Sequence, residues 1–501
     1  MTTILDLPDE IHLLIAKHLS NKAVYSLIRV CRFFLSAYMP CLWSNVHVGR
    51  NDLSTITVEL LRANAHHVDT LAYSPSLTED YYTIVFPQLR SLHINSNYMD
   101  EKDPYYSQVQ PHQMTQFARL HPTIKKLYCG QPKILSREFW EVVESEWKEF
   151  ESLELSGAMD EDVGEIFWKV CGQVRTLHLT GVTRPKDLSI LLTLCFPRLQ
   201  QLSIEKFVWE SEVSYQGWTL QLLEQVKKSP GLRHLRWVMS DIPFPVQRFQ
   251  EMLEEEGCWP ALCELEIGYS TCSDQKLATI LKSLPSRPLT DFEWASGSTM
   301  GPLTYSCLRE TYFEHLRVLK VADCKGVTST MAQGLLTECV HLISFYGQYI
   351  YVRDIATAPK PWGCSNLEDL AIYIAKEPED EAGWEGRVFE QFGKLRRLLD
   401  MNLKLDLLNS GSGDGDEGED QHGIEHLSRK ETLDLRLCCS FMSGSVQLQS
   451  LIFNGNRQKL GLEEALWMVE HWKDLEYVGG DFKGLEGDKV EQLFDEKGIS
   501  Y

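Results

Sequence analysis

The stretch Leu316–Leu342, LRVLKVADCKGVTSTMAQGLLTECVHL, sets the architecture of this chain. Leu316, Leu319 and Val321 follow a rhythm of apolar, two spacers, apolar, one spacer, apolar. Side chains alternate across a strand, so Leu319 and Val321 turn inward while Lys320 turns out. Past Cys324 the period changes from two to 3.6. Ala332, Leu335, Leu336 and Cys339 fall at i, i+3, i+4, i+7, one face of a helix. Leu342 then starts the phrase again. The unit is one strand plus one helix, and its apolar face can be buried only by stacking on another copy.

Copies run in both directions. Strand phrases begin at Leu89, Phe150, Val174, Leu199, Leu262, Leu367 and Leu448, with weaker ones at Val68, Ile124, Leu232, Leu289, Leu342, Leu395 and Leu475. The interval from Leu395 to Leu448 reads as two periods with a degraded copy between them. The helical template recurs at Val163–Val170, Leu188–Cys195, Leu277–Leu284 and Leu462–Val469. This period and phrase are the signature of a leucine-rich repeat. The Leu316 unit resembles the cysteine-containing class of such repeats, with Cys324 and Cys339 as small buried hydrophobes. Cys171 and Cys195 take the same place before their own strands. Segments around 95–120, 205–218 and 296–312 read as long insertions, and 377–384 as an exposed one between a strand and its helix. Asn409 to Gly423, NSGSGDGDEGEDQHG, has no means of forming a core and is expected to be a disordered acidic loop. It lacks EF-hand ligand spacing and the closing Glu, which argues against a calcium loop.

The start of the chain reads differently. Leu5 to Val48 predicts three short helices. Pro8 stands in a first turn, with Asp6 as a cap and Ile11, Leu14, Ile15 and Leu19 on one face. Ser20-Asn21 break that helix and cap a second, which carries Val24, Leu27, Ile28 and Cys31. A third, with Phe33 and Phe34, runs into Pro40. A bundle of about 40 residues rarely buries its own apolar surface. Exposed leucines and isoleucines forgo about 1.5–3 kcal/mol each, so such a face reads either as a docking site or as packing on the next domain.

In order and spacing, Leu7-Pro8-x-Glu10-Ile11, Ile15, Leu19, Leu27, Val30-Cys31-Arg32, Phe34 and Leu42-Trp43 resemble the F-box motif. F-box proteins are exchangeable substrate receptors of cullin-RING (SCF-type) ubiquitin ligases. By position, the resemblance implies that Leu7, Pro8, Ile11, Ile15, Leu27, Val30 and Cys31 meet the Skp adaptor, and that Trp43 closes the bundle. The cysteine-containing repeat class also occurs in F-box proteins. The expected fold is thus α/β: a three-helix F-box at 1–48, a helical connection at 49–65, and a curved strand–helix leucine-rich-repeat solenoid over 66–501.

Composition fits a folded soluble protein, with 43% hydrophobic and 24% charged residues. The 71 acidic against 49 basic residues give a charge of -22, which argues against tracking nucleic-acid phosphates or anionic membranes. The fourteen cysteines form no CxxC pair, no signal peptide is expected, and no apolar run reaches transmembrane length. A reduced compartment, cytosol or nucleus, is expected. Catalytic motifs are absent: no HExxH, no GxSxG, no Walker lysine. Asp160-Glu161-Asp162 read as capping a helix that begins near Val163. Neither a cofactor nor a metal is expected.

Binding must then come from surface. Outward spacers of the strand phrases include Ser91, His93, Asn95, Glu154, His178, Gln201 and Ser203. Later phrases add Arg236, Glu264, Glu266, Asp291, Glu293 and Lys320. Of these His178, Gln201, Arg236, Glu266, Glu293 and Lys320 are the candidates for holding a target protein. Aromatic residues near 209–218 and 345–351 are candidate anchors. The expected function is substrate recognition by a non-catalytic ligase subunit. The alternative is an interaction scaffold whose first helices only cap the repeats.

Overall fold

The computed structural model describes residues 4–48, 56–73, 79–94, 111–157, 159–183, 194–208, 215–239, 244–255, 258–268, 272–284, 289–294, 298–322, 324–375, 384–403, 447–453, 461–480 and 487–501. They divide into two compact units, Met1–Leu232 and Arg233–Tyr501.

The first unit opens with a 3-10 turn, Ile4–Asp6, and three helices: α1 (Asp9–Lys17), α2 (Asn21–Ile28) and α3 (Arg32–Ser44). Pro8 is the residue before α1 rather than part of it. Its backbone is extended, and its carbonyl accepts from Ile11 N and His12 N at 3.0 and 3.3 Å. Ser20 caps α2, its Oγ accepting from Ala23 N at 3.3 Å. Pro40 does not end the third helix, as the sequence suggested, but lies inside it. Proline costs one backbone hydrogen bond there, yet Tyr38 before it and Cys41 and Leu42 after it all pack in the bundle core.

Seven parallel strands follow in chain order: β1 (Asn45–Val48), β2 (Thr70–Tyr73), β3 (Ser91–Ile94), β4 (Lys126–Cys129), β5 (Ser152–Ser156), β6 (Thr176–Thr183) and β7 (Gln201–Val208). Between them lie α4 (Val58–Asn64), α5 (Glu79–Tyr82), α6 (Pro111–Leu120), α7 (Arg137–Glu146) and α8 (Gly164–Cys171), and α9 (Tyr215–Val226) follows β7. The second unit has nine strands: β8 (His234–Trp237), β9 (Glu264–Ile267), β10 (Asp291–Trp294), β11 (Val318–Lys320), β12 (Ser344–Tyr351), β13 (Asp369–Ala375), β14 (Asp400–Asn402), β15 (Ser450–Ile452) and β16 (Tyr477–Gly479). Its helices are α10 (Val246–Leu253), α11 (Asp274–Ser283), α12 (Pro302–Thr311), α13 (Ser329–Glu338), α14 (Val352–Ala356), α15 (Trp384–Phe392), α16 (Leu462–His471) and α17 (Gly487–Lys497).

One register runs through each series. In the first unit Val46, Leu71, Leu92, Leu127, Leu153, Leu177 and Leu202 are successive cross-strand partners. In the second, Leu235, Leu265, Phe292, Leu319, Phe345, Leu370, Met401, Leu451 and Val478 are. All of them are buried. A slip of one residue would turn every one of them to solvent, so the apolar phrase fixes the pairing.

Polar contacts tie neighbouring repeats together. The Asp274 carboxylate at the start of α11 accepts from Gly301 N, Leu303 N and Thr304 N at 2.8, 3.0 and 2.9 Å, satisfying the free amides that open α12. Position 301 needs glycine for this, because a Cβ there would stand 2.6 Å from Asp274 Oδ2.

Several expectations change. The segment beginning at His47 is not a polar connection: β1 starts at Asn45 and pairs with β2. Its phrase is Trp43, Val46, Val48, hidden in the sequence because its first apolar residue belongs to α3. The weak copy at Leu395 is shifted by one step, since Leu398, Met401 and Leu403 are the phrase that brackets β14. No degraded copy separates β14 from β15, for Asp400 pairs directly with Ser450. The apparent insertions at 95–120, 205–218 and 296–312 contain helices α6, α12 and the start of α9. Asp160 to Asp162 do not cap a helix by side chain: Glu161–Val163 form a 3-10 turn and Gly164 opens α8. Cys171, Cys324 and Cys339 are buried, but Cys195 is exposed and Leu194 takes the inner place. The acidic loop 409–423, the segment 377–383 and the helical template at 188–193 lie outside the described residues.

Candidate functional site: an apolar helical surface and two polar sheet faces

The three N-terminal helices close on a small core. Ala16, Val24, Phe34 and Tyr38 are buried in it, with Leu19, Leu27, Ile28, Cys31, Ala37, Cys41 and Leu42 packed around them. His12 is also buried, its Nδ1 3.1 Å from the Tyr38 hydroxyl and its ring edge-on to Phe33 and Phe34. Burial, then the charge of Cys41, raises the Tyr38 hydroxyl above its ordinary range, and burial raises the Cys41 thiol too.

What the core does not take stands in solvent. Ile11 (39% exposed), Leu13 and Leu14 on α1, Tyr25 on α2, Val30 (67%) in the following turn and Leu35 on α3 form the outer layer, with Ile4 and Leu5 ahead of them. The sequence-derived adaptor residues divide accordingly. Pro8, Ile11 and Val30 are exposed, Leu7 and Ile15 are half-buried, and Leu27 and Cys31 lean into the core. Leu13, Tyr25 and Leu35 were not singled out by sequence reasoning. Their signal was an apolar residue on the polar side of each helix.

The sheet faces are polar and differ between units. In the first, the outward third position of successive strands reads His47, Ala72, His93, Tyr128, Glu154, His178, Ser203. His178 sits between two carboxylates, Nε2 3.1 Å from Glu205 and Nδ1 3.6 Å from Glu154. Burial, followed by the charge of His47, holds the His93 imidazole below its usual range. Gln201 accepts from Thr176 Oγ1 at 3.3 Å. Ser91 is buried and its Oγ lies 3.0 Å from His93 Nε2.

In the second unit the same position reads Arg236, Glu266, Glu293, Lys320, Tyr346, Ala371, Asn402, Ile452. Its charges pair across strands: Arg236 Nε to Glu266 at 2.7 Å, Lys320 Nζ to Glu293 at 2.8 Å, and His234 Nδ1 to Glu264 at 3.1 Å one position earlier. Burial would lower the Lys320 ammonium, but its hydrogen bond to Glu293 outweighs that and leaves it raised. The four expected target residues of this unit therefore form two ion pairs, and His178 and Gln201 are likewise engaged within the first. Of the aromatic candidates, Tyr346 is 37% exposed with Lys320 Nζ 5.4 Å above its ring, and Tyr349 and Tyr351 are half-buried. Residues 209–214 and the side chains of Tyr215 and Trp218 are outside the description. Among the described residues no group of three or more His, Cys, Asp or Glu side chains could hold a metal ion, and no helix is long and apolar enough to cross a membrane.

Residues 4–48 match the F-box-like family. No curated protein matches the chain. Among solved structures the chain is similar to one in a yeast complex of Rad7 and Elc1, at 12% identity and a TM-score of 0.34 over 89% of this chain and 88% of that one. It is also similar to a Bacteroides fragilis protein, at 10% identity and a TM-score of 0.32 over 52% and 68%. Likeness at that level carries no weight for function.

Proposed function

We propose that this protein is a non-catalytic substrate-recognition subunit of a cullin-RING ubiquitin ligase. Its F-box would dock the Skp adaptor while the outward sheet faces hold a target. The observation that supports this is the layer of large apolar side chains left in solvent on α1, α2 and the following turn, within residues that match the F-box-like family. Covering such a layer is favourable by about 25 cal/mol per Å² of apolar surface, and a standard interface takes about 800 Å² from each partner. Recognition then acts by proximity: holding a target beside the conjugating enzyme raises its effective concentration without any chemistry from this chain.

The capping alternative has one observation in its favour, since α3 runs straight into β1 and packs beside the start of the sheet. A cap, however, has no use for Ile11, Leu14 and Val30 on its outer side. The test is co-purification of the full chain with a Skp adaptor, comparing wild type with Ile11→Asp/Val30→Asp. Both residues are exposed, so the variant should fold. Capture by wild type with a loss of about a hundredfold or more in the variant is expected, as for two interface anchors removed together. Equal capture, or none by wild type, would leave the helices as a cap.

A further inference from the structure

We propose that the second unit carries a seat for an arginine side chain of the target, built around Ala371 by Tyr346, Asp369, Tyr373, Asp400 and Asn402. This rests on reading the outward sheet faces as the target-binding surface, and it names where on them and by what chemistry.

The register assembles the seat. Tyr346, Ala371 and Asn402 are consecutive cross-strand partners, so the Ala371 methyl forms a floor between a phenol ring and an amide. Asp369 and Tyr373 lie two residues before and after Ala371, on the same side of β13, because Leu370 and Ile372 between them point into the core. Asp400 is the partner of Asp369 and completes the rim.

Two independent features of this seat lack an internal explanation. First, charges elsewhere on this face meet their opposites, whereas here two carboxylates stand directly across from each other, an arrangement that destabilises a sheet. Neither makes an ion pair with a basic side chain of the described residues. Burial, then the facing Asp400, raises the Asp369 carboxyl, with a hydrogen bond from Ser344 opposing them. Second, the Tyr373 hydroxyl, on a side chain only 9% exposed, has no hydrogen-bond partner, and neither has the buried Oδ1 of Asn402. Buried polar atoms without partners are rare in folded proteins. The unmet groups on this rim are oxygens that accept. The side chain that offers several donors, a positive charge and a flat surface to lay on a tyrosine ring is a guanidinium.

The experiment is fluorescence anisotropy of the full chain with a labelled peptide of alternating arginine and glycine, at low salt. Saturable binding is expected, with no binding of the same peptide carrying citrulline. Asp369→Asn/Asp400→Asn should weaken it about tenfold or more, as for a lost charge-assisted contact. Glu310→Gln/Glu314→Gln removes the same charge from exposed positions elsewhere in the unit and should leave affinity within about twofold, because exposed charges beyond a Debye length are screened. Ala371→Leu fills the floor from the solvent side and should abolish binding without unfolding the chain. An absence of saturable binding, equal losses in both double variants, or full binding by Ala371→Leu would overturn the proposal. Adaptor capture measured on the same variants should match wild type. Peptide binding without adaptor capture by wild type would sink the ligase reading and leave the seat standing.

Discussion

The N-terminal helices and the strand series treat large apolar side chains in opposite ways. In the strand series the second residue of every phrase, from Val46 to Val478, is buried against the next copy. In the helices Leu14 and Val30 stand more than half exposed beside a core of four buried residues. A strand–helix unit finds its missing partner one repeat along the chain. A three-helix bundle has no such neighbour, and its outer face is complete only when another surface covers it. The same contrast, at smaller scale, separates the polar rows of the second unit: opposite charges satisfied from within at Arg236–Glu266 and Lys320–Glu293, and like charges left unsatisfied at Asp369 and Asp400.

Substitutions can break or sharpen this contrast. The largest effect is expected from Phe34→Ala, which empties the bundle core and should cost about 3–5 kcal/mol locally. It should abolish both helical order, read by hydrogen exchange over 9–44, and adaptor capture, whereas Ile11→Asp/Val30→Asp loses capture alone. Leu319→Ala, in the strand core, should cost about 2–5 kcal/mol in urea unfolding of the second unit and leave adaptor capture unchanged. If it reduced capture equally, the two regions would not be separable in function.

Asp274→Ala removes the bridge between α11 and α12 and should cost about 1–2 kcal/mol, as for a lost helix cap. Burial raises this carboxyl, but hydrogen bonds from Thr304, Leu303 and Gly301 outweigh it and leave it lowered. Its stabilisation is therefore full above the unfolded carboxylate pKa and is lost as pH falls through the lowered folded value. Urea titrations of wild type and Asp274→Asn should converge in acid. Asp369 has the opposite sign. Its raised carboxyl penalises the folded state above the folded pKa, and the penalty fades as pH falls through it. Asp400→Asn should accordingly give a small gain in melting temperature at neutral pH, the smallest of these effects. A loss instead would mean that the facing carboxylates support the sheet.

Much of this was legible in the linear chain because its signals are local. A phrase of period two followed by one of 3.6 specifies strand, helix and facing side wherever it falls, and so it placed the strands at Thr176, Glu264 and Ser450. It missed Asn45–Val48, where the phrase overlaps the end of α3, and was one step out at Leu395, where several leucines fit the same rhythm. The F-box landmarks were equally readable as spacing, but spacing gave no means of separating Val30, which faces solvent, from Leu27 and Cys31, which lean on Phe34 and Tyr38. That choice depends on how three helices pack.

By itself, then, the sequence determined the repeat, its register and the presence of an apolar helical segment ahead of it, because each depends on residues within a few positions of one another. Only the tertiary structure decided that His178, Arg236, Glu266, Glu293 and Lys320 are engaged by neighbouring strands, and that Asp369 and Asp400 face each other beside Tyr346 and Ala371. Those residues belong to different repeats, and strand pairing alone brings them together.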